Sequence, residues 1–127
     1  GAIIVLRKNN SLDFTLNENN YSKIQLTPQV LESIFFKNSP LHDGAIIVKN
    51  NTIIATRVIL PVSDKSNIPS RYGLRHRAAL GITEKTDALV LVISEQTGKI
   101  VYFKNGSFYS IDSLEALKTS ITQDLSN

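Results

Sequence analysis

Residues 88–111, ALVLVISEQTGKIVYFKNGSFYSI, decide the fold. Ala88 to Ile93 is a near-continuous apolar run, the pattern of a strand covered on both faces. Ser94 to Gly98 turns the chain. Lys99 to Lys104 and Ser107 to Ile111 then read as two strands. Asn105-Gly106 between them is the strongest two-residue hairpin signal, because such a turn needs positive φ at both central positions. A strand buried on both sides requires helices above and below the sheet, and a tight hairpin makes its strands antiparallel. A layered α/β or α+β domain follows.

The flanking sequence supplies the remaining layers. Downstream, Leu114, Leu117, Ile121 and Leu125 form one apolar stripe of a C-terminal helix, with Asp112 as N-cap and Glu115 as its capping partner. Upstream, Ala2 to Leu6 reads as a buried strand, and Leu12, Phe14 and Leu16 alternate with polar residues as in a half-buried one. Asn17 to Ser22 reads as a loop. Thr27-Pro28 marks a helix start, with Val30, Leu31, Ile34 and Phe35 at helical spacing and an end near Lys37. Ala45 to Val48 and Thr52 to Leu60 are strands joined through Lys49-Asn50-Asn51, a connection short enough to force antiparallel pairing. Pro61 ends the second, and Val62 to Tyr72 is a polar loop. Leu74 to Thr83 forms a helix that packs through Ala78, Ala79 and Ile82. The sum is a single domain over 1–127: a mixed, twisted sheet of roughly six to seven strands flanked by three helices.

Composition agrees with a packed globule. Of 127 residues, 42% are hydrophobic and 20% charged, which fits neither a disordered tail nor a coiled coil. The absence of cysteine excludes disulfides, thiolate metal sites and cysteine nucleophiles. No run approaches a membrane span and no signal-peptide pattern opens the chain, so this segment is expected to be soluble. The start at Gly1 and the absence of methionine raise the expectation of an excised domain that has lost an upstream segment.

The net charge of +3 is concentrated in one place. Between positions 57 and 77, Arg57, Lys65, Arg71, Arg75 and Arg77 face only Asp64, a local excess of +4 that leaves −1 for the rest of the chain. Arginine's planar fork suits phosphate or carboxylate oxygens; a solvated basic loop is the plain alternative. Nucleic-acid binding through this window is not expected, since Tyr72 is its one aromatic residue and the total charge is modest.

Two tracts can carry chemistry. In His42-Asp43-Gly44-Ala45 an imidazole and a carboxylate precede a glycine that lets backbone approach a ligand, at the mouth of a strand. Asp-Gly also occurs as an ordinary turn. His42 with Asp43 suits Mg²⁺ or Mn²⁺ completed by substrate phosphate better than a closed zinc site. Arg75-His76-Arg77 stands at a helix start, where free N–H groups and the helix dipole favour an anion. Two arginines at i and i+2 point roughly 200° apart on a helix, so both reach one anion only if the first lies at or before the first turn. A surface basic triplet is the alternative, with His76 a buried histidine. An open metal site beside an arginine-flanked anion site points to phosphoryl or nucleotidyl transfer. The GxxxxGK[ST] and GxGxxG nucleotide motifs are absent.

The tracts Ser39-Pro40-Leu41-His42-Asp43-Gly44-Ala45, Leu60-Pro61-Val62-Ser63, Gly73-Leu74-Arg75-His76-Arg77-Ala78-Ala79-Leu80-Gly81-Ile82 and Ser94-Glu95-Gln96-Thr97-Gly98 together resemble the bacterial diadenylate cyclase (DAC) domain family, of the membrane-anchored type. The resemblance implies a DAC-type fold and condensation of two ATP into cyclic di-AMP with release of two pyrophosphates. It implies a divalent metal, Mn²⁺ or Mg²⁺, held by His42 and Asp43. Asp43 would promote attack of a ribose 3′-hydroxyl on the other ATP's α-phosphorus, and Arg75, His76 and Arg77 would bind phosphate. Gly44, Ala45, Leu60, Leu74, Ser94 and Glu95 would line the ATP site. Leu74 stands where many members have threonine, and Gln96 where many have a second glutamate. One chain supplies one such half-site, so the resemblance implies a face-to-face homodimer as the active form. It also implies attachment to the cytoplasmic face of the membrane through a segment before Gly1, and leaves room for regulatory protein partners. A catalytically idle nucleotide sensor of the same fold is the alternative.

Overall fold

The computed structural model describes residues 1–36, 43–65 and 68–126. Its strands are β1 (Ala2–Leu6), β2 (Tyr21–Gln25), β3 (Ala45–Lys49), β4 (Thr52–Val58), β5 (Leu89–Ile93), β6 (Ile100–Lys104) and β7 (Ser107–Ile111). Its helices are α1 (Pro28–Phe35), α2 (Leu74–Lys85) and α3 (Leu114–Ser126). The strands form one mixed sheet in the order β2-β4-β3-β1-β5-β6-β7. Among the described residues only β1 and β3 run parallel; the other neighbouring pairs are antiparallel.

The alternation of apolar side chains in β1, β3 and β5 explains the layering. Ile3, Val5, Ala45, Ile47, Val90 and Val92 face α2, where Ala79, Leu80 and Ile82 complete the principal core. Ile46 and Val48 point the other way, onto Val30, Leu31, Ile34 and Phe35 of α1. Leu89 and Tyr102 meet Leu117 and Ile121 of α3 on that same side, and Leu6 touches both of these smaller clusters. A central strand with no polar residue is thus apolar on both faces because both faces are covered.

Both tight turns are as the sequence requires. Asn50 and Asn51 have φ of 50° and 62°, and Asn105 and Gly106 have 52° and 72°, the geometry of two-residue hairpins whose twist matches the strands. Thr27 caps α1, its Oγ1 accepting from Val30 N at 3.1 Å, with Pro28 at the first helical position.

Several expectations need correction. Residues 12–16 are not a strand: Asp13–Thr15 is a 3₁₀ turn, closed by Thr15 Oγ1 donating to Leu12 O at 2.6 Å and by Ser11 Oγ accepting from Asp13 N at 3.1 Å. These local bonds outcompete the alternation, and Phe14 is left 61% exposed. The loop expected over Asn17 to Ser22 ends at Asn20, where β2 begins as an edge strand whose YSKIQ sequence carries little apolar signal. The β4 strand stops at Val58 rather than Leu60, and α2 continues to Lys85. The α3 cap is Ser113, whose Oγ accepts from Ala116 N at 3.3 Å, not Asp112. Of the expected α3 stripe, Leu117 is buried whereas Leu114 and Leu125 are exposed. The expected helix end at Lys37 and the tract from Asn38 to His42 lie outside the described residues.

Candidate active site

Four chain segments meet at one end of the sheet: the start of β3, the exit of β4, the start of α2 and the exit of β5. They enclose two adjoining clefts of about 310 and 340 Å³. Asp43, Gly44, Arg57, Ile59, Leu60 and Val62 line the first, Ile93 to Gln96 and His76 the second, and Leu74 and Arg75 belong to both.

The β3 side is set by Gly44, whose φ is +81°. A Cβ there would stand 2.8 Å from the Arg57 carbonyl carbon and 3.0 Å from its Cα, so only glycine fits beneath β4. This close approach presents Asp43 at the cleft edge, exposed, with Oδ1 accepting from Gly44 N at 3.1 Å. Ala45 is fully buried and offers the cleft no side chain.

The β4 exit carries a bulge. Ala45 pairs with Val58 and Ile47 with Ala55, so Thr56 and Arg57 together oppose Ile46. Arg57 takes φ +56°, a conformation that costs a non-glycine residue about 1–2 kcal/mol. Beyond the bulge, Leu60 turns into the core at 5% exposure whereas Ile59 is 86% exposed. Gly81 of α2 holds this exit in place, because its bare Cα packs on the Pro61 carbonyl, and Ser63 N donates to Arg77 O at 3.0 Å.

Gly73 caps α2 without a side-chain hydrogen bond, which leaves the first helical N–H groups and the positive helix end beside the cleft. Arg75, in the first turn, reaches toward Glu95 at 3.7 Å, a loose surface pair that an anion can displace. Arg77 diverges: its Nη1 donates to Lys65 O at 3.4 Å, and it lines neither cleft. The two arginines therefore do not line a common cleft of one chain, because positions i and i+2 of a regular helix face apart. His76 lies flat on Tyr72, with ring centroids 4.3 Å apart and planes within 9°. Burial, then the positive charges of Arg71 and Arg75, hold its pKa below the usual 6.5, so the imidazole is neutral near pH 7.

Ser94 and Glu95 do reach the second cleft. Ser94 also organises its turn, with Oγ accepting from Thr97 N at 3.3 Å and its carbonyl from Gly98 N at 2.9 Å. His42 lies outside the described residues. Sequence reasoning missed Ile59, Val62 and Arg57 as cleft residues. The first two follow the unmarked end of β4, and Arg57 counted only as charge.

Among the described residues no three His, Cys, Asp or Glu side chains gather to hold a metal. Asp43 places one exposed carboxylate on the first cleft, a ligand type that Mg²⁺ accepts when waters and substrate phosphates complete its shell.

Residues 1–108 match the family model described as DAC, DisA bacterial checkpoint controller nucleotide-binding. Diadenylate cyclase CdaS of Bacillus thuringiensis is 44% identical over 111 residues, covering 87% of this chain and 55% of that protein. A diadenylate cyclase of Listeria monocytogenes is 38% identical over 125 residues, covering 98% and 46%. The chain spans about half the length of these curated relatives. Among solved structures, a double mutant of DacA from Staphylococcus aureus superposes with a TM-score of 0.91 at 33% identity, covering 98% of this chain and 83% of that one. A protein of Bacillus cereus described as a hypothetical membrane spanning protein gives 0.83 at 43% identity, covering 88% and 55%.

Proposed function

The chain belongs to the diadenylate cyclase (DAC) family, and from that premise we propose that it condenses two ATP into cyclic di-AMP with release of two pyrophosphates. The observation that carries this reading is the meeting of Asp43 and Arg75 on one cleft, a carboxylate and a guanidinium across a space of nucleotide dimensions. Asp43 orients the ribose 3′-hydroxyl and accepts its proton as that oxygen bonds to the α-phosphorus of the other ATP. The bond from the α-phosphorus to the bridging oxygen breaks, and pyrophosphate leaves.

Arg75 and the free N–H groups at the start of α2 hold phosphate oxygens, and Glu95 gives up its loose pair with Arg75 when they do. Neutral His76, fixed by its stack on Tyr72, donates one N–H to phosphate. Gly44 brings backbone close to the nucleotide. Ile59, Val62 and Leu74 give the cleft an apolar side suited to a purine ring, with the Leu60 backbone beside it. Asp43, with His42, would hold a Mn²⁺ or Mg²⁺ ion, which when bound neutralises phosphate charge.

One chain offers one Asp43 and one Arg75, while the product has two equivalent phosphodiester links. Two copies related by a two-fold axis, clefts facing, supply both halves. The exposed Ile59 and Leu74, 86% and 75% accessible, surround the opening that would face the second copy. Arg77, turned away from its own chain's cleft, serves phosphate only within such a pair. Among the described residues no helix is long and apolar enough to cross a membrane, so attachment to the cytoplasmic membrane face would come from chain outside this one.

The test is incubation with ATP and Mn²⁺ followed by chromatography for cyclic di-AMP. Wild type forms product, specific activity falls on dilution, and Asp43→Asn abolishes turnover with the circular dichroism spectrum unchanged. Near wild-type turnover by Asp43→Asn, or activity per chain independent of dilution below the dimer's dissociation constant, overturns the scheme.

A further inference from the structure

Asn20 lies outside both clefts, yet it is buried and all its amide atoms are engaged. Its Nδ2 donates to Thr56 O at 3.1 Å and to Arg57 O at 3.2 Å. Its Oδ1 accepts from Asn17 N at 2.9 Å, and its backbone carbonyl accepts from Thr56 N at 2.9 Å. These bonds grip the two bulge residues of β4, one of which holds a left-handed conformation that its side chain disfavours. The peptide so held is the one on which Gly44 rests, 2.8–3.1 Å from where a Cβ would stand. Gly44 in turn donates its N–H to the Asp43 carboxylate. A continuous chain of contacts therefore runs from Asn20 through the Arg57 bulge to Gly44 and Asp43.

We infer that Asn20 is a positioning residue: by clamping the bulge at Arg57 it fixes the Gly44 backbone and the placement of the Asp43 carboxylate. The inference rests on the reading of Asp43 as the group that handles the 3′-hydroxyl. A bulge beside a functional site commonly re-aims neighbouring groups, and misplacing a reacting group by about 1 Å can cost on the order of 10²-fold in rate.

Positioning and loop stapling have different outcomes, because glycine adopts the Arg57 conformation without penalty. Asn20→Ala should lower kcat by ~10–100-fold at saturating ATP while KM stays within ~3-fold. Asn20→Ala/Arg57→Gly should recover much of that kcat relative to Asn20→Ala, with Arg57→Gly alone as its baseline. The structural readout is independent of turnover: the Gly44 amide cross-peak in the ¹H–¹⁵N spectrum moves in Asn20→Ala and returns toward its wild-type position in the double variant. Should Asn20→Ala fold poorly, Asn20→Ser gives the same comparison. An unmoved Gly44 peak, or a double variant whose peak and kcat match those of the single one, overturns the inference. Wild-type protein that makes no cyclic di-AMP defeats the functional reading instead, and the Gly44 peak still decides whether Asn20 holds the backbone.

Discussion

Gly81 lies within α2, and replacing it by alanine sets two effects against each other. Alanine is better than glycine in a helix interior by about 0.8–1.0 kcal/mol, so propensity alone predicts a more stable protein. Packing predicts the reverse. The new Cβ would overlap the Pro61 carbonyl oxygen and stand 2.9 Å from the carbonyl carbon and 3.0 Å from Ser63 N. All three are backbone atoms, so no side chain can swing aside, and either α2 or the 60–63 segment must move. Such overpacking costs about 1–3 kcal/mol. Straining the bond from Ser63 N to Arg77 O, 3.0 Å long, adds about 0.5–1.5 kcal/mol. Subtracting the propensity gain leaves a net loss of roughly 0.5–3.7 kcal/mol. For a domain of this size each kcal/mol lowers Tm by about 3–5 °C. Urea titration and a thermal scan of Gly81→Ala, each followed by two probes, measure the change. An unchanged or raised midpoint would show that α2 does not rest on the Pro61 carbonyl. Because Leu60 and Val62 belong to the same segment, the variant should also weaken ATP binding, which calorimetry can follow.

Three other outcomes are expected. Arg75→Ala should weaken ATP binding by ~10–150-fold, the equivalent of about 1.5–3 kcal/mol for charge-assisted hydrogen bonds, and Arg77→Ala much less at protein concentrations where the chain is monomeric; equal losses would contradict the divergence of the two side chains. His76, its pKa lowered by burial and then by Arg71 and Arg75, should titrate below 6.5 by NMR, with a higher midpoint in Arg71→Gln. Since the unfolded chain takes up that proton first, its contribution to stability is complete above pH 6.5 and declines as pH falls toward the lower folded-state value; a midpoint at or above 6.5 would remove the buried stack. Asp124→Ala strips the buried Tyr102 hydroxyl of the acceptor it meets at 2.7 Å, and should cost about 1–3 kcal/mol in urea titration, with Tyr102→Phe in the same background recovering part; no loss would mean that α3 is not tethered to β6 through this pair.

Residue pattern encodes part of this structure, and packing adds the rest. β1, β3 and β5 are legible because apolar runs covered on both faces leave no other reading, and the Asn105-Gly106 turn because its backbone demands those residue types. β2 is not legible, since an edge strand exposed along one side has no need of an apolar pattern. Residues 12–16 mislead because Ser11 and Thr15 can close a turn locally. In the site, Asp43-Gly44 and Arg75 follow from motif and position. The divergence of Arg77 was implicit in helical geometry, but its destination at Lys65 depends on where tertiary packing leaves that residue. Asn20 and Arg57 were invisible as a pair, because 37 positions separate them and the bulge that joins them arises only when β3 and β4 pair out of step.

The sheet is two antiparallel three-stranded halves, β2-β4-β3 and β5-β6-β7, stitched together by β1 alone. Asp43, Gly44 and Arg57 ride on the first half, while the second carries the Ser94–Gln96 turn and most of the surface on which α2 and its Arg75 lie. The span between carboxylate and guanidinium is therefore set by the registry of Ala2 to Leu6 against strands on either side, together with the seat of Gly81 and Arg77 of α2 on the 61–63 segment that follows β4. A slip or shear along that seam would leave each half's fold intact and still pull the two ends of a bound triphosphate's cradle out of alignment.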